Sequence, residues 1–163
     1  MKRNPESNAF TLLEITIVMA VLLILIGVTI SLISPVSSKG KARDNKRLSD
    51  ISTLDRVINE YRLDYGQYPG LENFLYTSNY LPAGSPDLYS ARSGWIPVDI
   101  SDYTTRYSVD PVNDAIYHYE YFHNSADYEV STRLEQLMDK ASEDGGNDPL
   151  KYELGTNLLL ITP

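Results

Sequence analysis

The sequence contains no cysteine, and this absence removes several kinds of protein chemistry at once. Structural disulfides, thiolate metal ligands, a cysteine nucleophile and a lipidated N-terminal cysteine are all excluded. Histidine is nearly as scarce, since His118 and His123 are the only two in 163 residues. They lie five positions apart in a predicted strand, which places their side chains on opposite faces. The sequence therefore does not predict a paired histidine metal site.

Motifs for catalysis and for nucleotide binding are missing as well. Neither GxSxG nor HExxH occurs, and Gly40-Lys41 lacks the upstream glycine of a phosphate-binding loop. Basic charge is in deficit, because 22 Asp and Glu residues against 14 Lys and Arg give a formal net charge of −8. We therefore predict that the chain is not an enzyme and that it binds no specific nucleic acid.

Charge disappears entirely over residues 15–38, a run rich in Ile, Leu and Val. As an α-helix this run would extend about 36 Å, which is enough to cross a bilayer. A short polar segment with Lys2 and Arg3, residues 1–9, precedes it, as a cytoplasmic leader would. An ordinary secretory signal is the alternative, but its apolar core is shorter and would not include a charge such as Glu14.

The residues at this junction follow a recognisable order. Ala9 is followed by FTLLE, residues 10–14, and then by the apolar run. This arrangement resembles the N-terminal cleavage and methylation signal of type IV pilins and pseudopilins. The resemblance implies that a prepilin peptidase cuts between Ala9 and Phe10 and methylates the new amino group of Phe10. Ala9 stands where the family more often has glycine, and it keeps the small size.

Glu14 has the most specific predicted role. A lone carboxylate in hydrocarbon costs several kcal/mol unless a cation neutralises it. The resemblance implies that Glu14 meets the N-terminal amine, on Phe10, of a neighbouring subunit and so sets the register of a filament. A carboxylate that reaches the lipid headgroups from the first helical turn is the alternative.

A basic cluster follows the apolar run. It consists of Lys39, Lys41, Arg43, Lys46 and Arg47. Counted alone, these residues outnumber those of the leader and would place the following domain in the cytoplasm, whereas the resemblance implies the reverse orientation. We expect them to contact lipid headgroups before assembly or acidic groups of neighbouring subunits, with a solvated helix face or DNA contact as alternatives.

The rest of the chain predicts a small α+β head. Apolar residues recur every three or four positions between Ile51 and Tyr65, which indicates an amphipathic helix that ends at Gly66. Proline and glycine then interrupt the pattern until about residue 114, apart from a short helix expected at 71–79. Alternating residues predict antiparallel strands with one buried face. These strands are expected at 115–122 and 127–134, with a last strand or tucked segment at 152–161.

The expected fold is therefore a type IV pilin-like lollipop, in which a long N-terminal helix packs its amphipathic half against a small antiparallel sheet. The predicted divisions are a leader (1–9), a hydrophobic transmembrane and assembly helix (10–35) and a soluble head (36–163). Within the head, we expect the amphipathic helix (36–66), the αβ-loop (70–114), and the β-sheet with the C-terminal loop (115–163).

An acidic loop with two glycines, EDGGND at 143–148, has the clustered oxygen ligands that suit a hard cation such as Ca²⁺. It loosely resembles the calcium loop of major pseudopilins, and the candidate ligands are Glu143, Asp144, Asn147 and Asp148. An acidic solvated turn is the alternative. No cofactor is required by anything else in the sequence.

The expected function is that of a pilin, a structural subunit of a type IV pilus-like filament. A pseudopilin of a type II secretion system, a surface-binding minor pilin and an anchored protein that never polymerises are the alternatives. The resemblance implies copies of the chain itself, the prepilin peptidase, an inner-membrane assembly platform and a cytoplasmic ATPase as partners. It also implies a single-pass membrane protein before assembly, and an extracellular pilus or a periplasmic pseudopilus afterwards.

Overall fold

The computed structural model describes residues 10–32 and 35–162. The chain divides into two compact units, Met1–Ser38 and Lys39–Pro163, and the second is called the head below. In chain order the elements are α1 (Leu12–Leu32), α2 (Pro35–Tyr65), β1 (Tyr76–Thr77), β2 (Tyr119–His123), β3 (Tyr128–Arg133), α3 (Met138–Ser142) and β4 (Lys151–Gly155). A long apolar N-terminal helix with a small antiparallel sheet confirms the predicted α+β, pilin-like class.

Helix α1 carries the apolar run and continues without interruption through Gly27. Its two threonine hydroxyls donate to backbone carbonyls of the preceding turn, Thr16 to Leu13 and Thr29 to Leu25, at 2.8 Å each. Their polar groups are thereby satisfied within the helix. The stretch Leu12–Thr29 is long and apolar enough to span a membrane, and none of it is buried by the rest of the chain.

Helix α2 places one face in the core of the head. Its buried apolar side chains recur at helical spacing, as predicted, and they are Ile51, Leu54, Val57, Ile58 and Tyr61. The helix ends at the predicted glycine, where Gly66 adopts a φ of 72° and its N–H donates to the Arg62 carbonyl at 2.8 Å. Glycine suits this position because it adopts a positive φ without a Cβ clash.

The sheet has the order β1-β2-β3-β4 and every neighbouring pair is antiparallel. Tyr119, Tyr121, Tyr128 and Val130 lie on its inner face and form one core with the buried face of α2. The tyrosine hydroxyls also reach α2, since Tyr119 donates to Asp50 at 2.8 Å and Tyr128 donates to Asp55. Burial and hydrogen bonding therefore both hold the sheet against the helix.

Two expectations for local structure are wrong. Strand β2 begins at Tyr119 rather than at residue 115, because Asp114 Oδ1 accepts the N–H groups of Ile116 and Tyr117, each at 2.8 Å, and holds this segment in a turn. Residues 71–79 contain strand β1 instead of a short helix. Ser78 N–H donates to the Tyr119 carbonyl at 2.8 Å, so pairing with β2 decides the conformation.

The expectation of one buried sheet face is also wrong, since both faces of β3 are buried. Glu129 and Ser131 lie on the outer face, yet both are fully inaccessible to solvent. The C-terminal segment covers them, because Leu160 N–H and Ile161 N–H donate to Glu129 Oε2 at 2.8 and 2.9 Å. Strand β4 is accordingly shorter than the segment expected at 152–161, and the chain after it folds over the sheet.

A buried arginine joins α2 to two distant parts of the head. The Arg47 guanidinium, fully buried, donates to Asp44 at 2.8 Å, to Asp110 at 2.6 Å and to Glu135 at 2.6 Å. Asp44 in turn accepts the backbone N–H groups of 135–137 at 2.7–3.0 Å. Hydrogen bonds from Arg43 and Arg47 lower the pKa of Glu135 to about 2, so this carboxyl stays ionised.

Replacing Arg47 should therefore destabilise the head strongly. Arg47→Ala leaves Asp44 and Asp110 buried without their cation, and we expect the free energy of unfolding to fall by about 3–5 kcal/mol. Lys46→Ala is the matched control, because the half-exposed Lys46–Asp50 pair should contribute at most about 1 kcal/mol. Urea unfolding of the full chain in detergent, followed by the fluorescence of buried Trp95, measures both. An equal loss of unfolding free energy in the two variants would contradict the conclusion that the buried Arg47 network stabilises the head.

Candidate processing and assembly site

Two residues of the predicted signal, Phe10 and Glu14, are described by the structure, and both lie at the start of α1. Phe10 precedes the helix and is 73% exposed, and Glu14 lies in the first helical turn. Ala9 lies outside the described residues, so only one side of the predicted scissile bond is observed. Among residues 10–32 and 35–162, no cation pairs with the Glu14 carboxylate.

Thr11 belongs to the same site, although the sequence analysis did not single it out. Its Oγ1 accepts the Glu14 N–H at 3.2 Å and its carbonyl accepts the Ile15 N–H at 3.2 Å. These are the bonds of a helix N-cap, and the T-x-x-E spacing of Thr11 and Glu14 is the signal that could have revealed it. The cap fixes the start of α1 at Leu12 and leaves Phe10 outside the helix.

The four residues predicted to bind calcium are differently placed. Glu143 is exposed just after α3, whereas Asp144, Asn147 and Asp148 are half-buried or buried. Asp144 already accepts the N–H groups of Gly146 and Glu153, at 2.8 and 2.7 Å, and Asp148 Oδ1 accepts that of Leu150 at 2.9 Å. Most of these carboxylate oxygens therefore order the loop itself. In the described part of the chain, no three acidic or histidine side chains are grouped so as to hold a metal ion.

Two buried glutamates lie against this loop from the outer face of the sheet. Glu129 and Glu153 are almost fully buried, and their carboxyl groups form a side-chain hydrogen bond with each other in which protonated Glu153 is the donor. No other described group donates to the Oε1 atom of either residue. The Oδ1 of Asn147 is also buried without a partner. Burial, together with the charges of Glu129 and Asp144, raises the pKa of Glu153 to about 7, and burial also raises the pKa of Glu129.

Gly146 makes room for this arrangement, because a Cβ there would overlap the Glu153 carboxylate. Neither glutamate is predicted as a ligand from the sequence. In the sequence, Glu129 looks like the solvent-facing residue of an alternating strand, and Glu153 looks like part of an apolar terminal segment. Only the pairing of β3 with β4 and the fold of the C-terminal segment over them bring the two carboxyl groups to the same loop.

The two histidines lie on opposite faces of the sheet. His123 is buried on the inner face and stacks on Tyr121, with ring centroids 5.6 Å apart. His118 Nε2 lies 3.4 Å from Glu120 Oε1 on the outer side, and Glu120 also accepts a hydrogen bond from Lys151 at 2.8 Å. The hydrogen bond to Glu120 raises the pKa of His118 above its usual value. His118, Glu120 and Lys151 therefore form a partly buried, ion-paired cluster.

The chain is similar to proteins named Type II secretion system core protein G. It is 34% identical to that of Aeromonas hydrophila over 96 residues, 33% to that of Klebsiella michiganensis over 97, and 37% to that of Escherichia coli over 81. These matches cover 58%, 58% and 46% of this chain and 64%, 66% and 53% of the relatives. The chain thus spans between about half and two thirds of the relatives it matches. No protein-family model and no solved structure matches it.

Proposed function

Since this chain is a homologue of Type II secretion system core protein G, a relationship consistent with the type IV pilin-like family, we propose that it is a structural subunit of a type IV pilus-like filament. The names of the relatives favour the pseudopilin form of this function, in which the filament is periplasmic and serves secretion. The observation that carries the proposal is an apolar helix, α1, which the described residues leave exposed and whose first turn holds Glu14, a carboxylate with no ion-pair partner among those residues.

Processing comes first in this proposal. The prepilin peptidase cleaves between Ala9 and Phe10 and methylates the new amino group, which converts Phe10 into the mature N-terminus. The exposed Phe10 side chain and the Thr11 cap support this, because the bond to be cut then lies outside the helix. The chain itself has no catalytic role in these steps.

Assembly then replaces lipid by copies of the chain. In the bilayer, hydrocarbon covers α1. Once the helix leaves the membrane, each Leu, Ile or Val side chain that becomes buried, instead of exposed to water, stabilises the assembly by about 1.5–3 kcal/mol. Lateral packing of α1 helices in a filament provides that burial. The work of extraction comes from a cytoplasmic ATPase acting through an inner-membrane platform, because the sequence has no nucleotide-binding motif.

Within the filament, Glu14 pairs with the N-terminal amine of Phe10 in a neighbouring copy. A carboxylate surrounded by apolar helices is unfavourable without a cation, so correct axial register is the arrangement that satisfies both charges. The absence of a partner for Glu14 within the described residues supports an intermolecular one. Glu14 therefore acts in assembly and not in the stability of the monomer.

Substituting Glu14 tests this role. We expect Glu14→Ala to lower the yield of sheared filaments by at least about tenfold, which corresponds to a loss of about 1.4 kcal/mol per contact. Glu14→Asp should retain part of the yield because it keeps the charge. Glu72→Ala, which removes an exposed glutamate from the head, is the control and should assemble like wild type. Wild-type filament yield in Glu14→Ala would overturn the pairing.

We propose in addition that the head binds Ca²⁺ beside the 143–148 loop. Buried oxygens on Glu129, Glu153 and Asn147 support this. Within the described residues Asn147 Oδ1 has no partner, and the Oε1 atoms of the two glutamates have no donor apart from the carboxyl group of the other glutamate. Buried acceptors of this kind are unfavourable unless a donor or a cation satisfies them, and carboxylate and amide oxygens are the ligands that Ca²⁺ prefers. Glu143, which is exposed, contributes less than the sequence pattern predicts.

Thermal unfolding with and without Ca²⁺ tests this site. At a hundredfold excess over Kd we expect the ion to stabilise the head by about 2.7 kcal/mol, and chelation should reverse the effect. Glu153→Gln should abolish the Ca²⁺-dependent rise in Tm, whereas Glu143→Gln should retain it. If neither the wild type nor Glu143→Gln responds to Ca²⁺, the head holds no such site. A response lost only in Glu143→Gln would assign the ion to the exposed end of the loop.

A further inference from the structure

Most of the basic cluster that follows the apolar run is neutralised within the head. Lys46 Nζ pairs with Asp50 at 2.7 Å, and Arg43 pairs with Glu135. Arg47 is buried among carboxylates, as described above. Three of the cluster's members are therefore paired with carboxylates of the head, which offset their charge.

Lys39 and Lys41 differ from these three residues. Both are exposed, and among residues 10–32 and 35–162 neither ammonium group has an ion-pair or hydrogen-bond partner. Gly40 between them is buried, and a Cβ there would lie 2.7 Å from Gln136 Cγ. Successive side chains diverge by about 100° around a helix, so the two lysines project to either side of this packed contact.

The position of this pair along the chain is distinctive. Lys39 is the first charged residue after Glu14, because residues 15–38 carry no charge. The stretch able to span a membrane ends at Thr29, and the chain between Thr29 and Lys39 consists of apolar and small polar residues. A lysine has a long apolar stem with a charged end, which lets it reach the phosphate level from beside a membrane helix.

We propose that Lys39 and Lys41 form a binding site for the phosphate of anionic phospholipid headgroups. This inference rests on the membrane-anchored stage of the proposed function. The chain is acidic, with a net charge of −8, so an anionic membrane surface repels it in general and this unpaired pair supplies local attraction. A basic residue near an anionic surface strengthens binding by about fivefold, and two independent residues by about thirtyfold.

The pair also has a consequence for assembly. Contacts with anionic lipid hold the subunit in the bilayer, and these contacts are given up when the subunit leaves for the filament. Because neither lysine forms a hydrogen bond or an ion pair with the described residues, the lipid contacts form and break without loss of such a bond from the fold. Lys39→Gln/Lys41→Gln should accordingly unfold at the same Tm as wild type.

The test uses the full chain in detergent, titrated with phosphatidylglycerol or phosphatidylcholine, with native mass spectrometry to count bound lipids. We expect a preference for phosphatidylglycerol that falls about thirtyfold in Lys39→Gln/Lys41→Gln and about fivefold in each single variant. The matched control is Arg92→Gln/Lys140→Gln, which removes the same charge from two exposed positions elsewhere on the head and should keep the preference.

Three outcomes would overturn the proposal. The first is that the wild type shows no preference for phosphatidylglycerol, or that both double variants lose the preference equally. An equal loss would mean that the preference depends on the total charge of the chain and not on these two lysines. The second is complete competition by millimolar inorganic phosphate, which would identify a site for the free ion. The third is an unchanged lipid preference with loss of filaments, which would assign the lysines to acidic groups of a second copy. If carbonate washing removes the chain from membranes, the chain is not membrane-anchored, and the proposed function itself would be contradicted.

Discussion

The uncovered apolar surface of α1 is the constraint on which the rest of the structure depends. Its large apolar side chains between Leu12 and Val28 are 46–83% exposed, and such a surface is unfavourable in water. Lipid or other copies of the same helix must therefore cover it. A lone carboxylate is unfavourable in either environment, so the proposed pairing of Glu14 with a cation meets a requirement of the same kind. The proposed membrane anchoring, polymerisation and pairing of Glu14 are thus three ways of meeting one physical constraint.

The head is held together by contacts of its own. Without disulfides, it relies on a tyrosine-rich core between α2 and the sheet and on the buried network around Arg47. That network links α2 to Asp110 in the long loop and to Glu135 after β3, which are distant in sequence. A head stabilised internally can keep its structure while the surroundings of α1 change from lipid to protein. Lys39 and Lys41, which form no hydrogen bond or ion pair with the described residues, lie at the start of the head.

Local patterns predicted the helices well because their cause is local. The absence of charge over 15–38 and the spacing of Ile51, Leu54 and Ile58 are sufficient to predict α1 and the buried face of α2, and Gly66 marks the end of α2. Long-range contacts account for the errors. The burial of Glu129 depends on a C-terminal segment that folds back over the sheet, and no alternation within β3 can reveal that.

The candidate site shows the same contrast between features with a local cause and features that depend on long-range contacts. Phe10 and Glu14 could be identified from a short motif, because their proposed roles depend on neighbouring positions in the chain. Thr11 could have been found from its spacing to Glu14. The buried oxygens of Glu153 and Asn147 could not, because β4 and the loop before it must fold before these atoms approach the outer face of β3. The 143–148 pattern therefore indicated the loop that these atoms approach, but of its four candidate ligands Glu143 is exposed, and the pattern could not include Glu129 or Glu153.

The account depends most directly on the claim that the chain is cut before Phe10 and then polymerises. The decisive measurement is mass spectrometry of the N-terminal peptide of this protein in a sheared filament fraction. The account predicts a peptide that begins at Phe10, with a methylated amino group, enriched in that fraction over the membrane. An uncut peptide that retains residues 1–9 and stays with the membrane would contradict it and would leave only an anchored protein.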